Sequence, residues 1–205
     1  MEEHDYDRLL NIRTVGAQKG FDHSLHYHRY EPTPYYALHA LFETYKLNPS
    51  DRIVDFGSGK GRLNFYIHYL FKASVIGVEM NEGFYRDALG NYTNYTKKYR
   101  SGKNRIEFHC GLAELYSIHP ADNRFYFFNP FSIQIFMKVV QNILLSYEAM
   151  PRELELLLYY PSEDYTYFLE NNTPFALKEE VVLKGVYEHS PYERFSIYTL
   201  DSFCI

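Results

Sequence analysis

The sequence predicts an α/β domain built on a doubly wound, mostly parallel sheet, with a C-terminal antiparallel hairpin at one edge. Two observations lead to this fold class. Short apolar runs typical of buried strands alternate with segments whose apolar residues recur at helical spacing, and the links between them are short. Near the C-terminus, two strand-like runs are joined by the link EHSPYE, which is too short for a parallel crossover.

The first helix is predicted over residues 34–45, with Thr33 as its N-cap and Pro34 at its first helical position. The elements that follow are strand 52–56, helix 62–72, strand 73–79, a helix capped by Asn81 that reaches about residue 99, strands 106–110 and 124–128, helix 133–147, strand 154–160, and the hairpin strands 181–187 and 194–200. No linker divides the chain. We therefore expect one domain over 1–205, with an N-terminal lid and first helix in 1–50 and a sheet core in 51–205.

Composition narrows the class of protein. Hydrophobic residues make up 46% and charged residues 23% of 205 residues, which argues against a disordered or fibrous chain. A formal net charge of −5 provides no general attraction for nucleic acid. The acidic start MEEHDYDRLL does not resemble a signal peptide, two cysteines form no disulfide framework, and no apolar run is long enough to span a bilayer. We expect a cytoplasmic protein without a membrane partner.

The stretch IVDFGSGKGR, residues 53–62, is the first candidate binding loop. Its glycines do not have the spacing of a phosphate-binding Walker loop. A dinucleotide fingerprint requires a third glycine where this chain has Arg62. The pattern is instead G-x-G-x-G, with Asp55 two residues before Gly57.

An acid at the end of the next strand adds a second indication. Glu79 stands 22 residues after Gly57 (79 − 57), where a carboxylate can accept hydrogen bonds from ribose hydroxyls. Asp55 can face a cationic amine, while the glycines let the backbone approach an uncharged linker. An amine and a ribose without a phosphate describe S-adenosylmethionine better than a nicotinamide dinucleotide.

These two motifs, VDFGSGKGR and GVE at 77–79, resemble those of class I S-adenosylmethionine-dependent methyltransferases. The resemblance implies a Rossmann-like sheet with the terminal hairpin that this class adds. It also implies that Asp55, Gly57, Ser58 and Gly59 contact the methionine half of the cofactor and that Glu79 binds the ribose. Many members have an acid or amide that binds the adenine amino group at the position where this chain has Leu112. The adenine contact in this chain is therefore expected from Leu112, from the backbone or from Glu114.

The segment YEPTPYY, residues 30–36, precedes the first helix. A helix N-terminus suits a carboxylate, because its N–H groups are unpaired and it carries partial positive charge. By partial resemblance to amino-methyltransferases and to non-SET lysine methyltransferases, Thr33 would contact the methionine carboxylate, and Tyr30 and Glu31 would line a lid. Simple helix capping by Thr33 is the alternative.

The segment FFNPF, residues 127–131, ends the fourth strand, where open α/β sheets place ligands. It partly resembles a motif of amino-methyltransferases that act on nucleobases. The side-chain carbonyl of Asn129 and the main-chain carbonyl of Pro130 can each accept an N–H from a substrate amine, and Phe131 can stack on a planar substrate. A strand-ending turn is the alternative, because Asn-Pro often begins one.

Three other features carry weaker indications. His23, His26 and His28 lie close together without completing a zinc ligand set, so we expect no metal. The segment KKYRSGKNR, residues 97–105, is basic and leaves contact with a phosphate backbone open. His109 and Cys110 point to opposite faces of a strand, which argues against a joint role.

The sequence therefore predicts a methyltransferase that moves a methyl group from S-adenosylmethionine to a nitrogen of an unknown substrate. A protein amine, an RNA base and a small molecule all stay open as the acceptor. A non-catalytic S-adenosylmethionine-binding module and an NAD-dependent oxidoreductase are the alternatives.

Overall fold

A seven-stranded sheet with helices on both faces forms the centre of the computed structural model, which describes residues 2–15 and 30–200. The helices are α1 Glu3–Leu10, α2 Tyr35–Thr44, α3 Arg62–Phe71, α4 Glu82–Lys98, α5 Ile133–Ala149 and α6 Glu163–Asn172. The strands are β1 Arg52–Phe56, β2 Ser74–Glu79, β3 Ile106–Cys110, β4 Arg124–Phe127, β5 Leu154–Tyr159, β6 Ala176–Val182 and β7 Arg194–Leu200.

The strand order is β3-β2-β1-β4-β5-β7-β6. Strands β1 to β5 pair in parallel, and β7 pairs antiparallel with both β5 and β6. The predicted fold class is thus confirmed, including the antiparallel hairpin at the edge. From β1 the chain continues outward on one side, and from β4 it continues on the other. The carboxyl ends of β1 and β4 are therefore a topological switch point, where sheets of this kind bind ligands.

Burial on both faces explains why the strands are rich in apolar residues. All six residues of β5 are buried. Helices α2, α3 and α4 cover the face that includes Ile53 of β1, and α5 and α6 cover the face that includes Val54. Each buried Leu, Ile or Phe contributes about 1.5–3 kcal/mol to the core. The core thereby holds the strand ends in a constant geometry.

Three local predictions need correction. The first hairpin strand is Ala176–Val182 and not 181–187, because this edge strand is mostly exposed and charged and so lacks an apolar signal. Residues 184–187 form a turn around Gly185, which has φ +83°. Pro34, not Thr33, is the N-cap of α2, and it makes no side-chain capping bond.

Helices α1 and α6 were not predicted. Both are short and carry acids in the first turn, which favour a helix N-terminus, but each contains few apolar residues, so neither has a long apolar pattern.

Candidate functional site

The glycine loop between β1 and α3 has a backbone that favours glycine. Gly57, Gly59 and Gly61 have φ values of +80°, +54° and +85°. The N–H groups of Gly57 and Ser58 donate to the Val78 carbonyl at 2.9 and 3.1 Å, which folds the loop over the end of β2. These bonds leave the loop as a cradle of main-chain atoms at the switch point.

The loop after β4 touches this cradle. A Cβ atom at Gly57 would lie 2.7 Å from the Cβ of Pro130, which is closer than such atoms approach. Only glycine therefore allows the segments after β1 and β4 to meet. This contact places Asn129, the neighbour of Pro130, beside the cradle.

Asp55 is buried beneath the loop. The Asn64 side chain, with its amide nitrogen turned toward the carboxylate, donates to Asp55 Oδ2 at 3.0 Å and accepts from Gly77 N at 3.1 Å. Burial, followed by the charge of Glu79, raises the pKa of Asp55 well above its ordinary value. Asp55 thus sits where a cationic partner would stabilise its charged form.

Glu79, at the end of β2, joins the two strand ends through its carboxylate. Its oxygens accept the N–H groups of Gly59 at 2.8 Å and Asn81 at 2.7 Å. Burial raises the pKa of Glu79, while these backbone hydrogen bonds act in the opposite direction. A carboxylate oxygen can accept more than one hydrogen bond, so these contacts are compatible with a further hydroxyl.

Tyr30 covers the second glycine. A Cβ atom at Gly59 would lie 2.1 Å from Cε2 of the Tyr30 ring, which also packs on Phe84 with ring centroids 4.6 Å apart. The Tyr30 hydroxyl donates to the Thr14 carbonyl at 2.8 Å. Glu31, the other predicted lid residue, is exposed. The described part of the predicted lid therefore places a tyrosine ring against the loop.

The N-terminal segment, residues 2–15, is hydrogen-bonded to Tyr30 and to the start of α3. Asp7 accepts from the Thr14 N–H at 2.6 Å and from its hydroxyl at 2.8 Å. Arg62 donates to Thr14 Oγ1 at 2.8 Å and its guanidinium lies 4.4 Å from the Tyr35 ring centre. Arg62, which stands where a dinucleotide fingerprint has its third glycine, also pairs with Glu3.

Thr33 lies deeper than a surface cap would. It is buried, and its hydroxyl shares a hydrogen bond of 2.8 Å with the Tyr126 hydroxyl. The Tyr35 N–H at the start of α2 donates to Glu3 Oε1 at 2.7 Å. Contact between Thr33 and a methionine carboxylate stays a prediction.

On the other side of the loop, Leu112 is 38% exposed and free to cover a planar group. The Gly111 N–H donates to the Glu79 carbonyl at 3.0 Å, so it is engaged within the sheet. The Glu114 carbonyl accepts from Asn142 at 2.9 Å. Ser58 Oγ is buried and has no hydrogen-bond partner within residues 2–15 and 30–200, so the loop retains one unused polar atom.

In the segment after β4, Asn129 lies at a pocket but Phe131 does not have the predicted position. Asn129 has φ +37°, an uncommon backbone for a residue other than glycine, at the mouth of a pocket of about 360 Å³. Phe131 is 1% exposed, and its ring packs against Phe127 in the core with ring centroids 6.2 Å apart. The predicted stacking of Phe131 on a substrate is therefore wrong for this arrangement, because the ring is buried in the core.

The aromatic rings at this pocket belong to Tyr160 and Tyr192, which no sequence motif indicated. The pocket is lined by Asn129, Tyr160, Pro161, Ser162, Glu163, Asp164 and Tyr192. No pattern of sequence spacing links positions this far apart. The signal that was available was local: Tyr160 ends the apolar run of β5 at the same sheet edge.

The basic segment 97–105 lies away from this edge. It includes the last two residues of α4 and leads into the first residue of β3, at the amino edge of the sheet. Lys98 donates to the Leu9 carbonyl at 2.9 Å, and Arg105 donates to the Pro49 carbonyl at 3.1 Å. His109 and Cys110 are both exposed, while the three histidines at 23, 26 and 28 lie outside the described residues.

Residues 2–15 and 30–200 contain neither a cluster of metal-ligating side chains nor a helix that could span a membrane. No group of three or more His, Cys, Asp and Glu side chains there has the arrangement of a metal site. Within the same ranges, no helix combines the length and apolar character that crossing a bilayer requires.

Solved structures of low sequence identity share this fold. An RNA methyltransferase from Salinibacter ruber, in complex with S-adenosyl-L-homocysteine, is 18% identical over 82% of this chain and 92% of its own, with a TM-score of 0.56. A tRNA (uracil-54, C5)-methyltransferase from Pyrococcus abyssi, also with S-adenosyl-L-homocysteine, is 15% identical over 83% of this chain and 39% of its own, with a TM-score of 0.54. The chain has the fold of class I methyltransferases.

The pyocyanin biosynthetic protein PhzM shares the class I fold at 15% identity, over 80% of this chain and 54% of its own, with a TM-score of 0.58. No protein-family model and no curated protein matches the sequence. The resemblance inferred from VDFGSGKGR and GVE is thus confirmed at the level of the fold.

Proposed function

We propose that this protein is an S-adenosylmethionine-dependent methyltransferase that methylates a nitrogen atom. The observation that carries the proposal is the meeting of Gly57 and Pro130. It brings the glycine cradle, the acids Asp55 and Glu79 and the amide Asn129 to one switch point. The neighbours crystallised with S-adenosyl-L-homocysteine support a cofactor of this kind.

The residues present fit the cofactor. A loop whose Cβ positions at Gly57 and Gly59 are already filled by neighbours can accept main-chain contact with a ligand but not a larger side chain. Asp55 matches the cationic amine of the methionine part, Glu79 matches the ribose hydroxyls, and Leu112 matches an apolar adenine face. Tyr30 and Thr33 close the methionine side. When bound, S-adenosylmethionine supplies an electrophilic methyl group on a sulfonium sulfur.

The segment after β4 would contribute by positioning the substrate amine. The Asn129 side-chain carbonyl and the Pro130 main-chain carbonyl accept N–H bonds from a substrate amine and so direct its lone pair. Holding the reacting atoms in line supplies several kcal/mol of the barrier reduction, and no covalent enzyme intermediate is required. The nitrogen lone pair forms the N–C bond as the C–S bond breaks, and the sulfur keeps that electron pair.

The nicotinamide alternative is less well supported. A pyrophosphate would have to approach the first turn of α3, where Arg62 is 4% exposed and packs against Thr14, Thr33 and Glu3. Asp55 beneath the same loop would repel an anionic ligand. Both features favour a ligand without phosphate.

A thermal-shift comparison of S-adenosylhomocysteine and NAD tests the proposal. At a hundredfold excess over its dissociation constant, a ligand stabilises the folded state by about 2.7 kcal/mol. For a domain of this size that corresponds to a rise in Tm of about 5–11 °C. We expect this rise with S-adenosylhomocysteine and none with NAD, and the reverse result would exclude the proposal. Labelled-methyl transfer to a cell extract then separates an enzyme from a binding module.

A further inference from the structure

We infer that the methyl acceptor is a cationic alkylamine, of the kind carried by a lysine side chain or a polyamine, and that it binds in the pocket beside Asn129. This inference rests on the proposed methyltransferase function. It names the class of substrate that the same switch point would take.

Two of the seven residues that line the pocket are tyrosines. Tyr160 and Tyr192 pack with ring centroids 5.5 Å apart and an interplanar angle of 35°, and both are partly exposed. Tyr160 has φ +51°, so the end of β5, like Asn129 at the end of β4, has an uncommon backbone that turns the chain at this edge. Aromatic faces attract ammonium groups through the negative charge of the ring face.

The pocket also carries negative charge. Glu163 and Asp164 line it from the first turn of α6 and are exposed, and the Tyr192 hydroxyl donates to Glu163 Oε1 at 3.1 Å. None of the seven residues that line it is Lys, Arg or His. Arg194, two residues beyond Tyr192, is paired with Glu180 at 2.8 Å.

The same combination of rings and acids continues toward the lid. The Tyr159 hydroxyl donates to Glu193 Oε2 at 2.7 Å, and the Phe128 ring packs on Tyr159 with centroids 4.6 Å apart. Burial, followed by the charge of Glu193, raises the pKa of the half-exposed Tyr36. An ammonium group is thus attracted along this edge, whereas the phosphates of a nucleic acid are repelled.

The chemistry sets one further requirement. An ammonium group has no lone pair, so it must release one proton to water before its nitrogen can attack the methyl group. A carboxylate pocket favours the ammonium form, whereas partial burial beside the aromatic rings favours the neutral amine. The acids of the pocket therefore recruit the cation, and the partly buried residues Asn129, Tyr160 and Tyr192 favour its deprotonation.

Isothermal titration without cofactor tests the inference directly. The probes are spermidine, a lysine-rich dodecapeptide and an RNA oligonucleotide of equal length. We expect the double variant Glu163→Gln/Asp164→Asn to bind both amine probes about tenfold more weakly than the unmodified protein. Glu148→Gln is the matched control, because Glu148 is an exposed acid at the end of α5 and at the opposite edge of the sheet. It should leave affinity unchanged.

A second variant separates the rings from the charges. Tyr160→Leu keeps both carboxylates and should also weaken amine binding, with an unchanged Tm shift on adding S-adenosylhomocysteine. Tighter binding of the peptide than of spermidine assigns the amine to a protein, and the opposite order assigns it to a polyamine. Equal amine affinity in all variants, or RNA as the tightest probe, overturns the inference. Loss of the S-adenosylhomocysteine shift in the unmodified protein would instead refute the proposed function.

Discussion

The segments after β1 and β4 meet at one edge of the sheet but are built differently. After β1, residues with positive φ are glycines, and the acids nearby are buried: Glu79 accepts backbone N–H groups and Asp55 accepts from the Asn64 side chain. After β4 and β5, the residues with positive φ are Asn129 and Tyr160, and the acids of α6 are exposed. The first region is a preformed cradle of main chain, whereas the second presents side chains.

This difference indicates a division of labour. The glycine cradle tolerates little substitution, because an added Cβ at Gly57, Gly59 or Gly61 collides with a neighbouring side chain. A rim of side chains from β4, β5, α6 and the β6–β7 link can change its chemistry by substitution without altering the backbone. We therefore expect the cofactor half and the acceptor half to respond independently to mutation.

The largest expected effect separates turnover from cofactor binding. Asn129→Gly keeps the φ of +37° accessible and removes the side-chain carbonyl. Labelled-methyl transfer to a cell extract should fall about 100- to 1,000-fold, the range for loss of one aligned polar group. The Tm shift with S-adenosylhomocysteine should stay the same. A parallel loss of both quantities would contradict the assigned role of Asn129.

The second-largest effect is expected from a variant that breaks the contact between the glycine loop after β1 and the segment after β4. Gly57→Ala puts a Cβ 2.7 Å from that of Pro130 at φ +80°, so we expect the free energy of unfolding to fall by about 1–3 kcal/mol. Binding of S-adenosylhomocysteine should be lost. Urea denaturation and titration measure the two quantities.

Gly90→Ala is its matched control. Gly90 lies within α4 with nothing within 4 Å of its Cβ position, so alanine should stabilise the protein by about 0.5–1 kcal/mol. Equal behaviour of the two variants would mean that the Gly57 contact is unimportant.

The smallest effect concerns the buried acid of the cradle. Because the pKa of Asp55 is higher in the folded than in the unfolded state, the folded state binds the proton more tightly. The free energy of unfolding therefore decreases as pH rises from the unfolded value of 3.8 through the folded pKa. Asp55→Asn has no carboxyl group to titrate at this position, so it does not lose this stability. The free energy of unfolding of the variant, relative to that of the unmodified protein, should therefore increase with pH across that window.

Denaturation series at several pH values measure this difference. Asp87→Asn, at the exposed partner of Lys60, is the control and should show no such increase. A stability difference for Asp55→Asn that does not vary with pH would show that Asp55 titrates normally. The same Asp55 variant should bind S-adenosylhomocysteine more weakly, since it loses the charge opposite the amine.

The sequence alone was enough to predict the glycine loop with its two acids and the five parallel strands of the sheet. Asp55, the three glycines and Glu79 are recognisable because a short loop and the end of the next strand impose a constant spacing along the chain. Buried parallel strands are likewise visible as apolar runs.

The tertiary structure decided what local patterns do not encode. Phe131 moved from a predicted stacking role into the core, and Arg62 became an anchor for the N-terminal segment. The pocket of Asn129, Tyr160, Glu163 and Tyr192 joins residues up to 63 positions apart (192 − 129). Such neighbours are set by strand order and helix packing, because contacts between distant segments arise only when the whole sheet has formed.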